Sequence, residues 1–354
     1  MTSDDELLAL YPELGRQLER VRLADLPTPV RAAQLAANGR RIDVLVKQDD
    51  VTAKPYGGNK VRKLEYLLAR ARRRRRRTIA TFGTAGSHHA LATAVYAKQQ
   101  GFDCLCFLSR QARDDAVART LEYHLQLGTE LVPFGGGRSA RIATLRRHLR
   151  GRRAAVIPAG GSSWLGTIGF VNAALELVAQ IGRGECPCPE RVYVATGTMG
   201  TAAGLALGFA LAGIGIEVHA VRISPARIAS REKFDRLAAK TALMMHRLDG
   251  RVPASLADRL RVRWRDGFFG PGYARSDART DRAMSVARRE LALELEATYT
   301  GKAMAALVDD VAAGYEPDGA VLFWQTWHGA PLPAGDTAAA GMSRLPAAFS
   351  DYFS

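Results

Sequence analysis

Short, continuously apolar runs alternate along this chain with longer stretches of helical spacing. Ile42–Val46, Thr78–Phe82, Cys104–Leu108, Ala154–Ile157, Val192–Ala195, Val218–Ile223 and Val321–Phe323 read as short buried strands. Leu64–Ala71, Ala90–Gln99, Arg113–Leu127 and Ala283–Leu295 repeat their apolar positions with helical period. Strand and helix in alternation predict an α/β fold with a parallel sheet covered on both faces. No internal repeat and no Pro/Ser-rich linker interrupts the pattern, so a second domain is expected as an insertion within the same sheet system.

One uncharged segment, Val192 to Ile216, imitates a membrane span. It contains glycines at 197, 200, 204, 208, 213 and 215 and the polar turn Thr196-Gly197-Thr198-Met199-Gly200-Thr201. A spanning helix does not usually begin with a polar glycine loop. A buried strand, a glycine turn and a buried helix are expected instead, and no membrane partner.

Composition fits a globular protein: 354 residues, 47% hydrophobic and 24% charged, enough to bury a sizeable core. The net charge of +15 raises the question of an acidic partner. Its densest stretch, Arg72–Arg77, closes a helical pattern, runs directly into a strand and has no interleaved aromatics for base stacking. A solvated helix end is expected there, and no nucleic-acid partner. Only eight of the 50 Lys and Arg are lysines, which leaves 42 arginines. The acidic N-terminus lacks the basic start and apolar core of a signal peptide, and four cysteines are too few for a disulfide scaffold. Both features predict a reducing cytoplasm. Cys104 and Cys106 are expected as small buried residues on one face of a strand, since C-x-C spacing is too short for a zinc knuckle. No metal site is expected.

Three loops carry candidate chemistry. In Gly57-Gly58-Asn59-Lys60-Val61-Arg62-Lys63, Asn59 is placed to cap a helix with Lys60 in its first turn. A cation there opposes the helix dipole; the same field lowers an amine pKa and favours the neutral nucleophile that forms an imine. Taken locally, an exposed loop lysine fits equally well. Thr84-Ala85-Gly86-Ser87-His88-His89 lies between strand and helix, where α/β sheets put their sites. It offers donors to a carboxylate or phenolate, or Ser87 is only a helix cap. Thr196–Gly204 is either a phosphate cradle of backbone N–H groups, helped by the Thr198 and Thr201 hydroxyls, or a plain strand-to-helix turn.

With these loops in this order, the chain resembles the pyridoxal-phosphate enzymes of the 1-aminocyclopropane-1-carboxylate deaminase and D-cysteine desulfhydrase family, of fold type II, similar to tryptophan synthase β. The likeness begins at Leu26-Pro27-Thr28-Pro29 and includes Gly57–Glu65, Pro158-Ala159-Gly160-Gly161-Ser162, Leu165-Gly166, the 196–204 loop and Tyr299-Thr300-Gly301-Lys302-Ala303-Met304. It ends at Phe323-Trp324-Gln325-Thr326. It implies two open, twisted, mostly parallel α/β domains with the cofactor between them: a large domain over 1–63 and 170–354, and an inserted one over 64–169. A homodimer is also implied.

The resemblance further implies the roles of individual residues. Lys60 carries pyridoxal 5'-phosphate and acts in catalysis, beside Asn59. Lys63, Gly197, Thr198, Met199, Gly200 and Thr201 bind its phosphate, and His88 lies near its ring hydroxyl. Thr326, with Thr300 as a second candidate, faces the pyridine nitrogen. Ser87 contacts the substrate carboxylate, and Tyr273 and Tyr299 flank the substrate. Four positions depart from the family pattern: His88 for Asn, Ala274 for Gly, Trp327-His328-Gly329 for Gly-Gly after the threonine, and Met199 for Gly. Thr300 follows the second tyrosine, as in desulfhydrases, where deaminases of the family carry Glu. The implied activity is α,β-elimination on a small amino acid, giving pyruvate, ammonia and sulfide from D-cysteine. The alternative is a remodelled deaminase (for 1-aminocyclopropane-1-carboxylate or another amino acid), racemase or biosynthetic lyase.

Overall fold

The computed structural model describes residues 5–315, 317–333 and 341–353. Its strands are β1 (Val30–Ala37), β2 (Arg40–Gln48), β3 (Thr78–Thr84), β4 (Asp103–Ser109), β5 (Glu130–Pro133), β6 (Ala154–Val156), β7 (Arg191–Thr196), β8 (Glu217–Arg222), β9 (Val262–Arg265) and β10 (Val321–Gln325). They form a six-stranded sheet, β1-β2-β10-β7-β8-β9, and a four-stranded sheet, β5-β4-β3-β6. Every pairing is parallel except the β1–β2 hairpin at one edge of the larger sheet.

All seven expected strands are present; all but the short edge strand β6 are interior, and interior strands read as continuous apolar runs. The three unexpected ones lie at sheet edges or are very short. β9 reads Val-Arg-Trp-Arg, and β1 interleaves Arg31 and Gln34 with its apolar positions, so neither shows a continuous run. Helix Ala278–Leu291 begins and ends earlier than the expected Ala283–Leu295: Asp277 caps it by accepting the Thr280 N–H, and Ala292 closes it in the left-handed region.

The chain divides into two compact units. Among the described residues, the larger takes those of Met1–Glu19, Ala24–Tyr66 and Ser162–Gly329, and the smaller takes Arg20–Leu23, Leu67–Gly161 and Ala330–Ser354. These units differ from the expected boundaries in four places, two of them being that 64–66 goes with the large unit and Arg20–Leu23 with the small one. Ser162–Gly169 goes with the large unit, and the described part of the C-terminal stretch packs with the small one.

In the large unit, helices Ala278–Leu291 and Thr300–Ala312 cover one sheet face with Ala283, Val286, Met304 and Leu307 against Tyr193, Val321 and Phe323. Helix Trp164–Gly182 packs on helix Gly200–Leu211. Glycines at four-residue spacing permit the approach. A Cβ on Gly204 would meet Phe170 Cβ at 2.4 Å, and one on Gly208 would meet Ala174 Cβ at 2.5 Å. The membrane-like segment is therefore β7, a turn and a buried helix, as expected from its glycines. Helix Trp164–Gly182 is itself long and apolar enough to cross a membrane, but most of it is buried in this fold.

The small unit centres on Ala80, Leu105, Phe107 and Val132, packed against Phe82, Phe134, Leu145 and Leu149. Cys104 and Cys106 are buried on β4 with their Sγ atoms 3.8 Å apart. Arg72–Arg77 is exposed at the end of helix Lys60–Arg73.

Candidate active site

The large unit builds its site on a buried ionic base. Arg62, 1% exposed, donates to Asp49 at 2.8 Å and to both Glu176 oxygens at 2.8 and 3.0 Å. Lys47 Nζ donates to Glu176 at 2.6 Å, Gln180 Oε1 at 2.6 Å and the Thr28 carbonyl at 2.7 Å. Trp324 Nε1 adds a bond to Asp49 at 2.8 Å. These groups join β2, β10, helix Trp164–Gly182 and the first turn of helix Lys60–Arg73. A buried charge left without its partner is costly, so the set holds together as a unit. Arg62 is thereby pinned two residues after Lys60. Sequence reasoning missed this network, since nothing local links Lys47, Asp49, Arg62 and Glu176.

Lys60 opens its helix, half-buried. The side chain of Asn59, expected as a helix cap, bonds two site residues: its Oδ1 accepts from Lys60 Nζ at 2.6 Å, and its Nδ2 donates to Thr201 Oγ1 at 3.0 Å. The Asn59 N–H donates to the Thr326 carbonyl at 3.1 Å, which ties the loop to the end of β10. Burial lowers the Lys60 amine to about 8, against an opposing pull from the Glu296 charge. Lys63, one turn on and 2% exposed, is also held well below its ordinary value, first by burial and then by Lys60.

Lys63 Nζ lies 3.4 Å from Ser162 Oγ, which is 2.7 Å from Thr198 Oγ1 and accepts the Gly200 N–H at 3.2 Å. Met199 stands in the left-handed region, φ 66°, before helix Gly200–Leu211, and its own side chain does not cap that helix. A Cβ on Gly200 would meet Ser162 Oγ at 2.6 Å and Lys63 Nζ at 3.2 Å. A helix N-terminus, an amine and two hydroxyls thus converge where any larger residue would intrude. That donor set fits a phosphate dianion.

Across from this cradle, a Cβ on Gly197 would meet the Tyr299 ring at 3.1 Å. The Tyr273 and Tyr299 hydroxyls are 2.7 Å apart, and Lys60 Nζ lies 5.8 Å from the Tyr299 ring centroid. Burial, then Tyr273, holds the Tyr299 phenol well above its usual range. Two further groups position the pair. Glu296 accepts the N–H groups of Thr298, Tyr299 and Thr300 at 2.7–2.8 Å. Buried Lys302 donates to the carbonyls of Phe269 and Gly272 at 2.7 and 2.9 Å, fixing the loop that bears Tyr273. Sequence reasoning missed Glu296; a glutamate just before a helix start is the signal that could have found it. Thr300 needs correction as a second candidate for the pyridine nitrogen, because its hydroxyl donates to Glu296 Oε1 and accepts the Glu296 N–H.

The departures have definite places. Ala274 has φ 55°, so two of the family's expected glycines are replaced at left-handed positions. His328 Nδ1 accepts the Gly57 N–H at 2.9 Å, and its ring lies 4.4 Å from Tyr56. Ser87 and His88 belong to the small unit. Ser87 caps helix His88–Gln99 by accepting the Ala90 N–H at 3.2 Å, and His88 is its half-buried first residue.

The family described as "Pyridoxal-phosphate dependent enzyme" matches residues 21–326. The chain belongs to this family. It is 33% identical over 327 residues to the D-cysteine desulfhydrase of Salmonella typhi, an alignment covering 88% of this chain and 94% of that protein. The enzyme of the same name from Salmonella schwarzengrund is 32% identical over the same shares. Among solved structures, one described as an ACC deaminase homologue matches with a TM-score of 0.71 and 25% identity, over 90% of this chain and 94% of that one. A fungal L-serine ammonia-lyase from Rhizomucor miehei shares the fold, with a TM-score of 0.56 and 18% identity over 84% and 92%. The fold is fold type II, and pyridoxal phosphate is the cofactor of this enzyme.

Proposed function

We propose that this enzyme eliminates the β-substituent of a small amino acid, with D-cysteine as substrate and pyruvate, ammonia and sulfide as products. Relatives named D-cysteine desulfhydrase support the reaction. The observation that carries it is an amine lowered to about 8 beside a hydrogen-bonded phenol pair.

When bound, pyridoxal phosphate supplies an electron sink for negative charge at the substrate Cα. Lys60 would hold the cofactor through its amine, and the same amine would take the Cα proton. At a pKa of about 8, roughly a tenth of the amine is neutral at pH 7. As the Cβ–S bond breaks, its electron pair leaves with sulfur. Tyr299, kept protonated by burial, donates with Tyr273 to the departing thiolate. Water then releases ammonia and pyruvate.

Lys63, Gly197, Thr198, Met199, Gly200 and Thr201 hold the phosphate, and Asn59 orients Lys60. Thr326 would face the ring nitrogen, where a neutral hydroxyl would favour elimination over transamination. His88 serves the ring hydroxyl, and Ser87 the substrate carboxylate. The 1–63 and 170–354 regions supply the larger cofactor-binding domain, corrected at its edges as above. A cytoplasmic homodimer completes the reading, supported by free thiols at Cys104 and Cys106 and by the family resemblance.

Holoenzyme given D-cysteine is expected to yield pyruvate and sulfide in equal amounts. Lys60→Ala should lose the visible cofactor band and at least about 10³-fold in kcat while remaining folded. No pyruvate from D-cysteine overturns the elimination. Met199, Ala274 and His328 favour one second reading, a pocket remodelled for another amino acid, such as the deaminase substrate 1-aminocyclopropane-1-carboxylate. A screen of D- and L-amino acids with keto-acid detection separates the two.

A further inference from the structure

We infer that the C-terminal segment braces the Gly86–Ser87 loop through Gln111, which makes Tyr352 and Gln111 positioning residues. The short helix Ala347–Tyr352 buries Phe349 and Tyr352, 0% and 4% exposed. The Tyr352 hydroxyl accepts the Gln111 N–H at 2.9 Å and donates to the Gln111 carbonyl at 2.7 Å. One phenol thus satisfies both backbone groups of a residue 241 positions away. Arg110 reinforces the contact: it pairs with Asp351, and its guanidinium lies 5.7 Å from the Tyr352 ring centroid.

The Gln111 side chain continues the chain of bonds. Its Oε1 accepts the Gly86 N–H at 3.1 Å. A Cβ on Gly86 would meet Gln111 Nε2 at 2.9 Å and Val117 Cγ2 at 3.0 Å, so glycine is what lets the amide lie this close. The next residue is Ser87. Two backbone bonds flank it: Ala85 N–H donates to the Ser109 carbonyl at 2.9 Å, and Ser87 N–H to the Thr84 carbonyl at 3.0 Å. Tyr352, Gln111 and Gly86 therefore tie to the C-terminal segment a loop whose serine has to meet its ligand within tenths of an ångström.

The consequence for ligand affinity rests on the proposed role of Ser87 in binding the substrate carboxylate; the brace itself does not. Tyr352→Phe keeps the packed ring and removes both bonds, Gln111→Leu removes the acceptor, and Gln111→Glu keeps one. Amide hydrogen exchange of the holoenzyme reads the brace. Exchange at Gly86 and Ser87 is expected to quicken about fivefold to tenfold in Tyr352→Phe and Gln111→Leu, and less in Gln111→Glu, with Ala92–Tyr96 unchanged. Unchanged exchange in the first two variants, or equal acceleration in Gln111→Glu and Gln111→Leu, overturns the inference. Spectral titration with D-alanine, which has a carboxylate and no leaving group, reads the consequence. A D-alanine Kd raised in the same two variants, at unchanged cofactor affinity, supports both statements. Faster exchange with an unchanged Kd supports the brace and removes Ser87 from the carboxylate.

Discussion

The large unit buries two groups of cations within a few residues of each other and treats them in opposite ways. Lys47 and Arg62 face Asp49 and Glu176 at salt-bridge distance. Those cations hold Glu176 near 2, against a burial effect that alone would raise it. Lys60 and Lys63 donate instead to a neutral amide and a hydroxyl, and burial lowers both amines. A buried cation answered by carboxylate is scaffold. A buried amine facing neutral oxygens is set up to receive an anion or to act as a nucleophile.

The largest effect expected from this contrast lies in the scaffold. Arg62→Met leaves Asp49 and Glu176 facing each other in the core, and should destabilise the cofactor-free protein by about 3–5 kcal/mol in urea unfolding. A loss under about 1 kcal/mol would mean that the cluster does not act as a unit.

Lys63→Met, one residue further along the same helix, should do the reverse. Removing a desolvated amine leaves cofactor-free stability unchanged or improved. The affinity for pyridoxal phosphate should fall about tenfold to a hundredfold, as for a lost charged hydrogen bond. Equilibrium dialysis against the cofactor checks the second half. Equal stability losses in Arg62→Met and Lys63→Met would dissolve the distinction between the two groups.

A pH series sharpens it at lower amplitude. The folded Lys60 amine sits at about 8, below its ordinary 10.5, so between those values the unfolded chain holds the extra proton. The cofactor-free protein should therefore gain stability from this group as pH rises from about 8 toward 10.5, and lose it on return. Lys63 acts in the same direction. The slope should shrink in Lys60→Met, measured by denaturant midpoints across that range.

The two groups were not equally legible in the sequence. Lys60 and Lys63 stand in a contiguous motif whose residue types carry their chemistry, and the seven expected strands announce themselves by apolar runs. The scaffold cations are legible only once β2, β10 and helix Trp164–Gly182 are side by side, because Lys47 and Glu176 are far apart in sequence. Glu296 and Lys302 were hidden for a related reason: they act on backbone groups, which every residue possesses. Thr300 shows the converse. A hydroxyl suited by type to a ring nitrogen is turned to Glu296 by the start of its own helix.

The smallest effect concerns backbone strain, and it falls on the side of the comparison meant for ligand. Met199 and Ala274 adopt left-handed conformations with φ 66° and 55°, one at the phosphate cradle and the other beside Tyr273. An L-residue there costs about 1–2 kcal/mol, and glycine recovers part of this while adding freedom to the unfolded chain. Met199→Gly and Ala274→Gly should each stabilise the protein by about 0.5–1 kcal/mol in thermal unfolding. Asn38, Arg75 and Ala292 are also left-handed, but they stand at a hairpin turn and at helix ends, whereas Met199 and Ala274 stand beside the groups meant for ligand. Stability gained together with weaker cofactor binding in Met199→Gly would mean that the methionine holds the helix N-terminus in its receiving geometry. Stability gained at unchanged binding would limit its effect to substrate choice, which the same variant's turnover of D-cysteine against other amino acids would then register.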